Sequence, residues 1–378
     1  MKIDLFEMER YQSRYWHEVD YDLSESGVLP MTIRELLGPA ADGEAFVAGT
    51  YLGYPLSEGS FETRTNIASW YPAADAEHVT VVNGGSEANF LALWTLLEPE
   101  DRLAFMVPNY LQGRGLGRQF GRGTDTFRLR LGGHGWALDL DELNDAVGKR
   151  TKVVMVCNPN NPTGHVLTSD EMDAVVAAAD RVGAWIVADE IYRGAELASD
   201  ITSPTFFGRY DRVVVTSGLS KAFAMPGLRL GWIAASEPEL IRRVQERHDY
   251  TTLTPSMVSD RLAALAMLPD VRQSILTRTR TIIRTNYPAL EGWLLSHDDI
   301  LIWAAPVAGA IAYASYDLPI KSSKLVERIR TERSVLLVPG DMFGLKKGLR
   351  FGFGYDIERT LKALALVDDV LADVAAEH

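Results

Sequence analysis

The 378-residue chain exceeds one ordinary hydrophobic core, so two domains are expected. Hydrophobic residues make up 47% and charged residues 24%, a globular balance that excludes a disordered or collagen-like chain. The net charge of −13 argues against nucleic acid as a partner, and the single cysteine, Cys157, excludes an intrachain disulfide. No apolar stretch reaches the roughly 20 residues that a membrane helix needs, and the first seven residues lack a signal-peptide pattern. A cytoplasmic location with no membrane partner is expected.

The spacing of apolar residues predicts a first helix over 5–16. Short apolar runs then read as strands at 78–83, 102–108, 126–131, 152–157, 184–189, 213–216 and 230–235, each continuous enough to be covered on both faces. Helical patterns lie between several of them, at 86–97 and at 170–182, where Thr168 and Glu171 have capping-box spacing. This alternation implies a mostly parallel seven-stranded sheet with helices on both faces, an α/β class. After about residue 270 the pattern changes to a long helix over 270–296, with a possible break at Pro288. Strands follow at 300–303, 309–315, 335–338 and 349–352, and a closing helix spans 356–376. This is a smaller α+β domain. The expected division is a large domain over 45–270, and a small one built from 1–44 and 271–378.

Four segments carry chemistry. In Val213–Trp232 a strand runs into Ser217, Gly218 and Ser220, then Lys221, then Arg229 eight residues later. Alone, Lys221 reads as a surface lysine. Its small hydroxyl flank and Arg229 can bind a phosphate, and a lysine beside a phosphate site suits a cofactor held by a Schiff base. Asp189 ends the strand over 184–189, where ligands bind in open α/β sheets, although a helix-capping acid stays open. With Tyr192 it could serve a pyridine ring. Asn161, in Asn158–Gly164, sits in an ordinary turn composition and could add an amide. Gly84-Gly85-Ser86-Glu87 lets a strand run into a helix, either as a plain serine cap or as a phosphate site at the helix N-terminus.

Taken together, these segments resemble the fold-type I enzymes of the aminotransferase class I/II family, which use pyridoxal 5′-phosphate (PLP). The resemblance covers nearly the whole chain, keeps the family's motif order and implies an aspartate aminotransferase-like fold. It implies Lys221 as the Schiff-base lysine, Asp189 as partner of the pyridine nitrogen, and Tyr192 and Asn161 as ligands of the ring oxygen. Tyr110 is implied as the aromatic stacked on the ring. Gly85, Ser86, Glu87, Ser217, Ser220 and Arg229 fall to the cofactor and its phosphate. Tyr54 resembles the tyrosine that completes a neighbouring subunit's phosphate site, which implies a homodimer. Arg350 resembles the clamp on the substrate α-carboxylate, with Gly27 and Asn161 beside the substrate.

Two departures stand out. Gly218 occupies a position, three before the lysine, where many members carry Ser or Thr, so Ser217 or Ser220 must supply that hydroxyl. The opening Asp22-Leu-Ser-Glu-Ser-Gly27-Val28 resembles capreomycidine synthase-type proteins, which use PLP to cyclise an arginine derivative. The expected activity is chemistry at Cα of an amino-acid substrate, as an aminotransferase. The alternative is a lyase, γ-replacement enzyme, cyclase or oxidase of specialised metabolism, acting on a substrate such as S-adenosylmethionine or an arginine derivative. A free lysine titrates near about 10.4, so Lys221 is expected to need cationic and apolar surroundings that lower its pKa. The Gly/Arg-rich stretch 113–123 is no dinucleotide fingerprint, and the histidines show no metal spacing.

Overall fold

The computed structural model describes residues 3–38 and 43–377; residues 1, 2 and 39–42 of the expected first segment lie outside the described residues. Consecutive residues of the central strands point to opposite faces. Val154 and Ile186 enter the core on one face, while Val153 and Val187 enter the core on the other. Such strands must be covered on both sides, which is why they read as unbroken apolar runs.

The sheet has eight strands, in the order Val79–Val82, Gly231–Ala235, Val213–Gly218, Trp185–Asp189, Thr151–Cys157, Arg102–Val107, Gly123–Gly132, Gly135–Leu138. The five from Val213–Gly218 to Gly123–Gly132 are mutually parallel. Gly231–Ala235 runs antiparallel to its two neighbours. The strand beyond the expected seven is Gly135–Leu138, which turns back on Gly123–Gly132 as a hairpin. Four residues around one buried Trp136–Leu138 pair are too few for a periodicity signal. The helix Ser169–Asp180 starts at the Thr168–Glu171 capping box.

A second layer is built on a four-stranded sheet, Leu301–Trp303, Ile311–Tyr316, Leu349–Gly352 and Val338–Pro339, antiparallel throughout. The expected single strand over 335–338 is split. Val335–Leu336 pairs in parallel with Tyr21–Asp22, while Val338–Pro339 pairs with Leu349–Arg350. Helix Pro269–Leu295 continues through Pro288. Proline costs a helix interior about 3 kcal/mol, and Ile283, Tyr287, Leu290 and Leu294 offset this by burial in the core of the small sheet. The same helix sends Ile275 and Leu276 into the core of the large sheet, so it spans both layers. Among the described residues no helix is long and apolar enough to cross a membrane.

Candidate active site

Parallel pairing brings the carboxyl ends of several strands to one edge. Cys157 is level with Asp189, and Asp189 with Thr216. Gly218 and Val82 both face Gly231 across the antiparallel pairs, so the turns after Val82 and Gly218 emerge side by side. A cavity of about 530 Å³ opens there. Its floor includes Gly85, Ser86, Asp189, Tyr192, Ser220, Lys221 and Arg229; the small sheet supplies Arg350, and the N-terminal segment supplies Glu9, Gln12 and Glu25.

Helix Gly85–Leu96 begins in this cavity without a side-chain cap, so its first amides are free to meet an anion. Gly84 precedes it at φ +96°, where a Cβ would sit 2.7 Å from an Arg229 Nη2 atom. Only glycine lets the arginine approach that closely. Arg229 itself holds a left-handed conformation, at φ +48°, and donates through Nη1 to the Pro226 carbonyl at 3.0 Å. Ser220 lines the cavity beside it. Ser217 does not, because its hydroxyl donates to the Glu190 carbonyl at 3.3 Å. Glu87 is also turned away from the cavity. Its carboxylate accepts from the Asn83 amide at 2.6 Å and from the Thr252 hydroxyl. Of the two candidate hydroxyls, Ser220 is therefore the one on the cavity wall, and Glu87 serves its helix.

Asp189 is buried at the strand end. Asn89 Nδ2 donates to its Oδ2 at 2.9 Å, the Ile191 amide donates to its Oδ1 at 3.1 Å, and Thr216 Oγ1 donates to Asn89 Oδ1 at 2.6 Å. Burial pushes its pKa up, against the two hydrogen bonds that favour the charged form. Sequence reasoning does not single out Asn89, because an asparagine in the first turns of a helix carries no signal of the strand it will meet.

Lys221 meets a carboxylate. Its Nζ donates to Glu25 Oε1 at 2.7 Å, and the same oxygen accepts from the amides of Ser26 and Gly27 at 2.8 and 2.9 Å. Burial pulls the lysine's pKa down, but the Glu25 charge first, then Tyr192 and the Glu25 hydrogen bond, outweigh it, so Lys221 stands above the ordinary lysine value. This reverses the expectation of a lowered pKa. Glu25 is the residue that sequence reasoning missed. It lies almost two hundred positions from Lys221, in a segment read only for its likeness to a family opening. Gly27 packs behind the lysine stem, where a Cβ would lie 3.6 Å from Lys221 Cδ.

Arg350 is fully buried. It donates through Nη1 to Asn161 Oδ1 at 3.0 Å and through Nη2 to the Ser24 carbonyl, while its Nε has no partner among the described residues. A buried guanidinium with an unmet donor at a cavity wall suits a carboxylate ligand. Tyr192 donates to Ser26 Oγ at 2.9 Å, and Tyr110 donates to Glu9 Oε1 at 2.7 Å. Tyr54 lies outside the cavity and is 86% exposed.

These groups fit PLP on their own chemistry. A helix N-terminus, a serine and an arginine that could hold a phosphate dianion, a buried carboxylate for a ring nitrogen and a lysine amine all line the same cavity. Among the described residues no cluster of three or more His, Cys, Asp or Glu side chains could hold a metal ion.

Comparison with known proteins places the whole chain among similar sequences and folds. Capreomycidine synthase from Streptomyces vinaceus is 28% identical over 368 residues, covering 95% of this chain and 92% of that protein. The structure of a PLP-dependent aminotransferase from Streptococcus suis superposes with a TM-score of 0.91 at 28% identity, covering 99% of each chain. The PLP-dependent cyclase OrfR superposes with a TM-score of 0.86 at 27% identity, covering 99% of this chain and 98% of its own. The family model described as aminotransferase class I and II matches residues 21–366, and the chain belongs to that family.

Proposed function

We propose that the chain is a PLP-dependent enzyme that breaks the Cα–H bond of an amino acid, in the first reading as an aminotransferase. The observation that carries this is the convergence of Asp189, of Lys221 with Arg229, and of Arg350 on one cavity from three separate places in the chain. PLP, when bound, supplies a conjugated ring that accepts the electrons left on Cα. Arg229, Ser220 and the N-terminus of Gly85–Leu96 hold its phosphate. Asp189, oriented by Asn89, holds a proton at the ring nitrogen. Tyr192 and Asn161 would hold the ring oxygen, and Tyr110 would pack on the ring. Arg350 binds the substrate α-carboxylate as a fork, which places Cα near Lys221. Lys221 then takes the Cα proton.

A second reading, a cyclase or γ-replacement enzyme, rests on the acidic roof. Glu9, held by Tyr110, and Glu25, held by Lys221, both line the cavity and give it a negative wall that suits a cationic substrate side chain. Two relatives carry cyclase or synthase names. The proposed assembly is a cytoplasmic homodimer. Tyr51, Leu52, Tyr54 and Leu56 are exposed in one short segment, an apolar stretch that a partner subunit would cover and from which Tyr54 would reach its phosphate.

The test is to add single amino acids to the holoenzyme and follow the cofactor. Stoichiometric conversion to pyridoxamine phosphate with release of a 2-oxo acid supports transamination. Product formation with the cofactor recovered in its pyridoxal form supports the second reading. No spectral response to any amino acid overturns both.

A further inference from the structure

We infer that Glu25 is a positioning residue that sets the proton affinity of Lys221, by serving as fixed counter-ion to the lysine's ammonium form. The inference rests on Lys221 being the working lysine. The geometry is specific. Glu25 Oε1 lies 2.7 Å from Nζ and is clamped by two consecutive backbone amides, Ser26 and Gly27. A flexible surface pair would have no such anchor. The carboxylate therefore stays beside Nζ whether or not the lysine is charged. Each side chain is about a quarter exposed, and both line the cavity.

The other charged or titratable groups around Lys221 do not replace Glu25. Tyr192, from the loop after Trp185–Asp189, also favours the ammonium form, less than the Glu25 charge does, but its hydroxyl donates to Ser26 and burial pushes its pKa up. Arg350, from Leu349–Gly352, opposes the ammonium form. Glu9, on the helix Glu7–Tyr15, is engaged by Tyr110, and Asp189 by Asn89 and Ile191. Arg229 is a cation on the same wall. Among the described residues, Glu25 alone makes a hydrogen bond to Nζ. Burial works against the Glu25 charge, yet Lys221 and the two amides hold its carboxyl at about 2. It is an anion at every working pH.

A lysine acts as nucleophile or base only as the neutral amine. A counter-ion raises the pH needed to free that amine, and it stabilises the ammonium once a proton has been taken. Glu25 thus makes Lys221 a stronger proton acceptor and a slower nucleophile at neutral pH.

The test compares wild type with Glu25→Gln and Glu25→Asp. The amide oxygen of glutamine can still accept from Ser26 and Gly27, so only the charge is lost. Competitive acetylation of the full chain without cofactor, read by mass spectrometry at Lys221 against pH, gives the lysine's pKa directly. A drop of about one unit or more is expected in Glu25→Gln, roughly tenfold in proton affinity, with Glu25→Asp staying nearer wild type. In the holoenzyme, the pH midpoint of the cofactor's visible band should move down in the same variant. An acetylation pKa within about 0.3 units of wild type in Glu25→Gln, or a rise, overturns the inference. Borohydride trapping of the cofactor on a lysine other than Lys221 overturns the reading beneath it instead, so the two failures are separable.

Discussion

The floor and the roof of the cavity are held in different ways. The floor is built at strand ends: Asp189 is the last residue of a strand, Lys221 follows another by three residues, and both are positioned by backbone pairing between neighbours. The roof, residues 7–27, has one helix and two paired residues; backbone bonds tie Tyr21 and Leu23 to Ser334, Leu336 and Gly352, and side chains hold the rest. Gln12 donates to Ser24, Glu9 meets Tyr110, and Glu25 meets Lys221. Chemistry that must not move sits on the large sheet, while the acidic groups above it sit on a segment with little regular structure of its own. Segments of this kind open locally at lower cost than core strands.

The sharpest way to break this comparison is at the floor. Lys221→Ala should abolish the borohydride-trapped cofactor adduct and lower turnover by at least about a thousandfold, as removal of a covalent catalyst does. Peptide mapping checks it, and an adduct on another lysine would refute the assignment. Asp189→Ala should come next, slowing Cα–H exchange by about a hundredfold or more. Asn89→Ala should cost less, about tenfold, because the carboxylate remains but loses its orientation. Equal losses for the two would show that the asparagine does more than orient.

At the junction between floor and roof, Arg350→Lys should weaken amino-acid binding by about ten- to a thousandfold and leave cofactor retention unchanged. The check is titration with an amino acid and with its decarboxylated amine. If the preference for the acid survives, another group binds the carboxylate.

The smallest effect should be in the roof. Glu25 titrates at about 2 in the folded chain, below the value near 4.5 of a free glutamate. Its contribution to stability is therefore fully present above about pH 4.5 and is lost as pH falls toward 2. Hydrogen exchange in the cofactor-free chain should show residues 7–27 losing protection in that window while the strands around Asp189 keep theirs. Glu25→Gln should remove the pH dependence. Simultaneous loss in both regions would mean that roof and floor unfold together.

Much of the floor is legible in the sequence. Apolar runs mark the strands over 152–157 and 184–189, and strand-end residues inherit their place from the strand, so Lys221, Asp189 and Arg229 follow from local pattern. Ser217 and Glu87 do not follow. Ser217 still belongs to its strand and donates to the Glu190 carbonyl, and Glu87 accepts from the Asn83 amide just ahead of its own helix. The split of 335–338 into two pairings is equally hidden, since one apolar run does not say which neighbours it will have.

Local sequence determined the α/β order, the capping of Ser169–Asp180 and the turns that carry the lysine and aspartate, because these depend on residues within a few positions of one another. Tertiary structure alone decided that Asn89 reaches Asp189, that Arg350 is buried with an unmet donor, and that Glu25 meets Lys221. Those contacts join residues a hundred or more positions apart. Hydrophobic patterning says which face of an element is buried but not which distant side chain will share that face, so a polar pair formed by folding leaves no local trace.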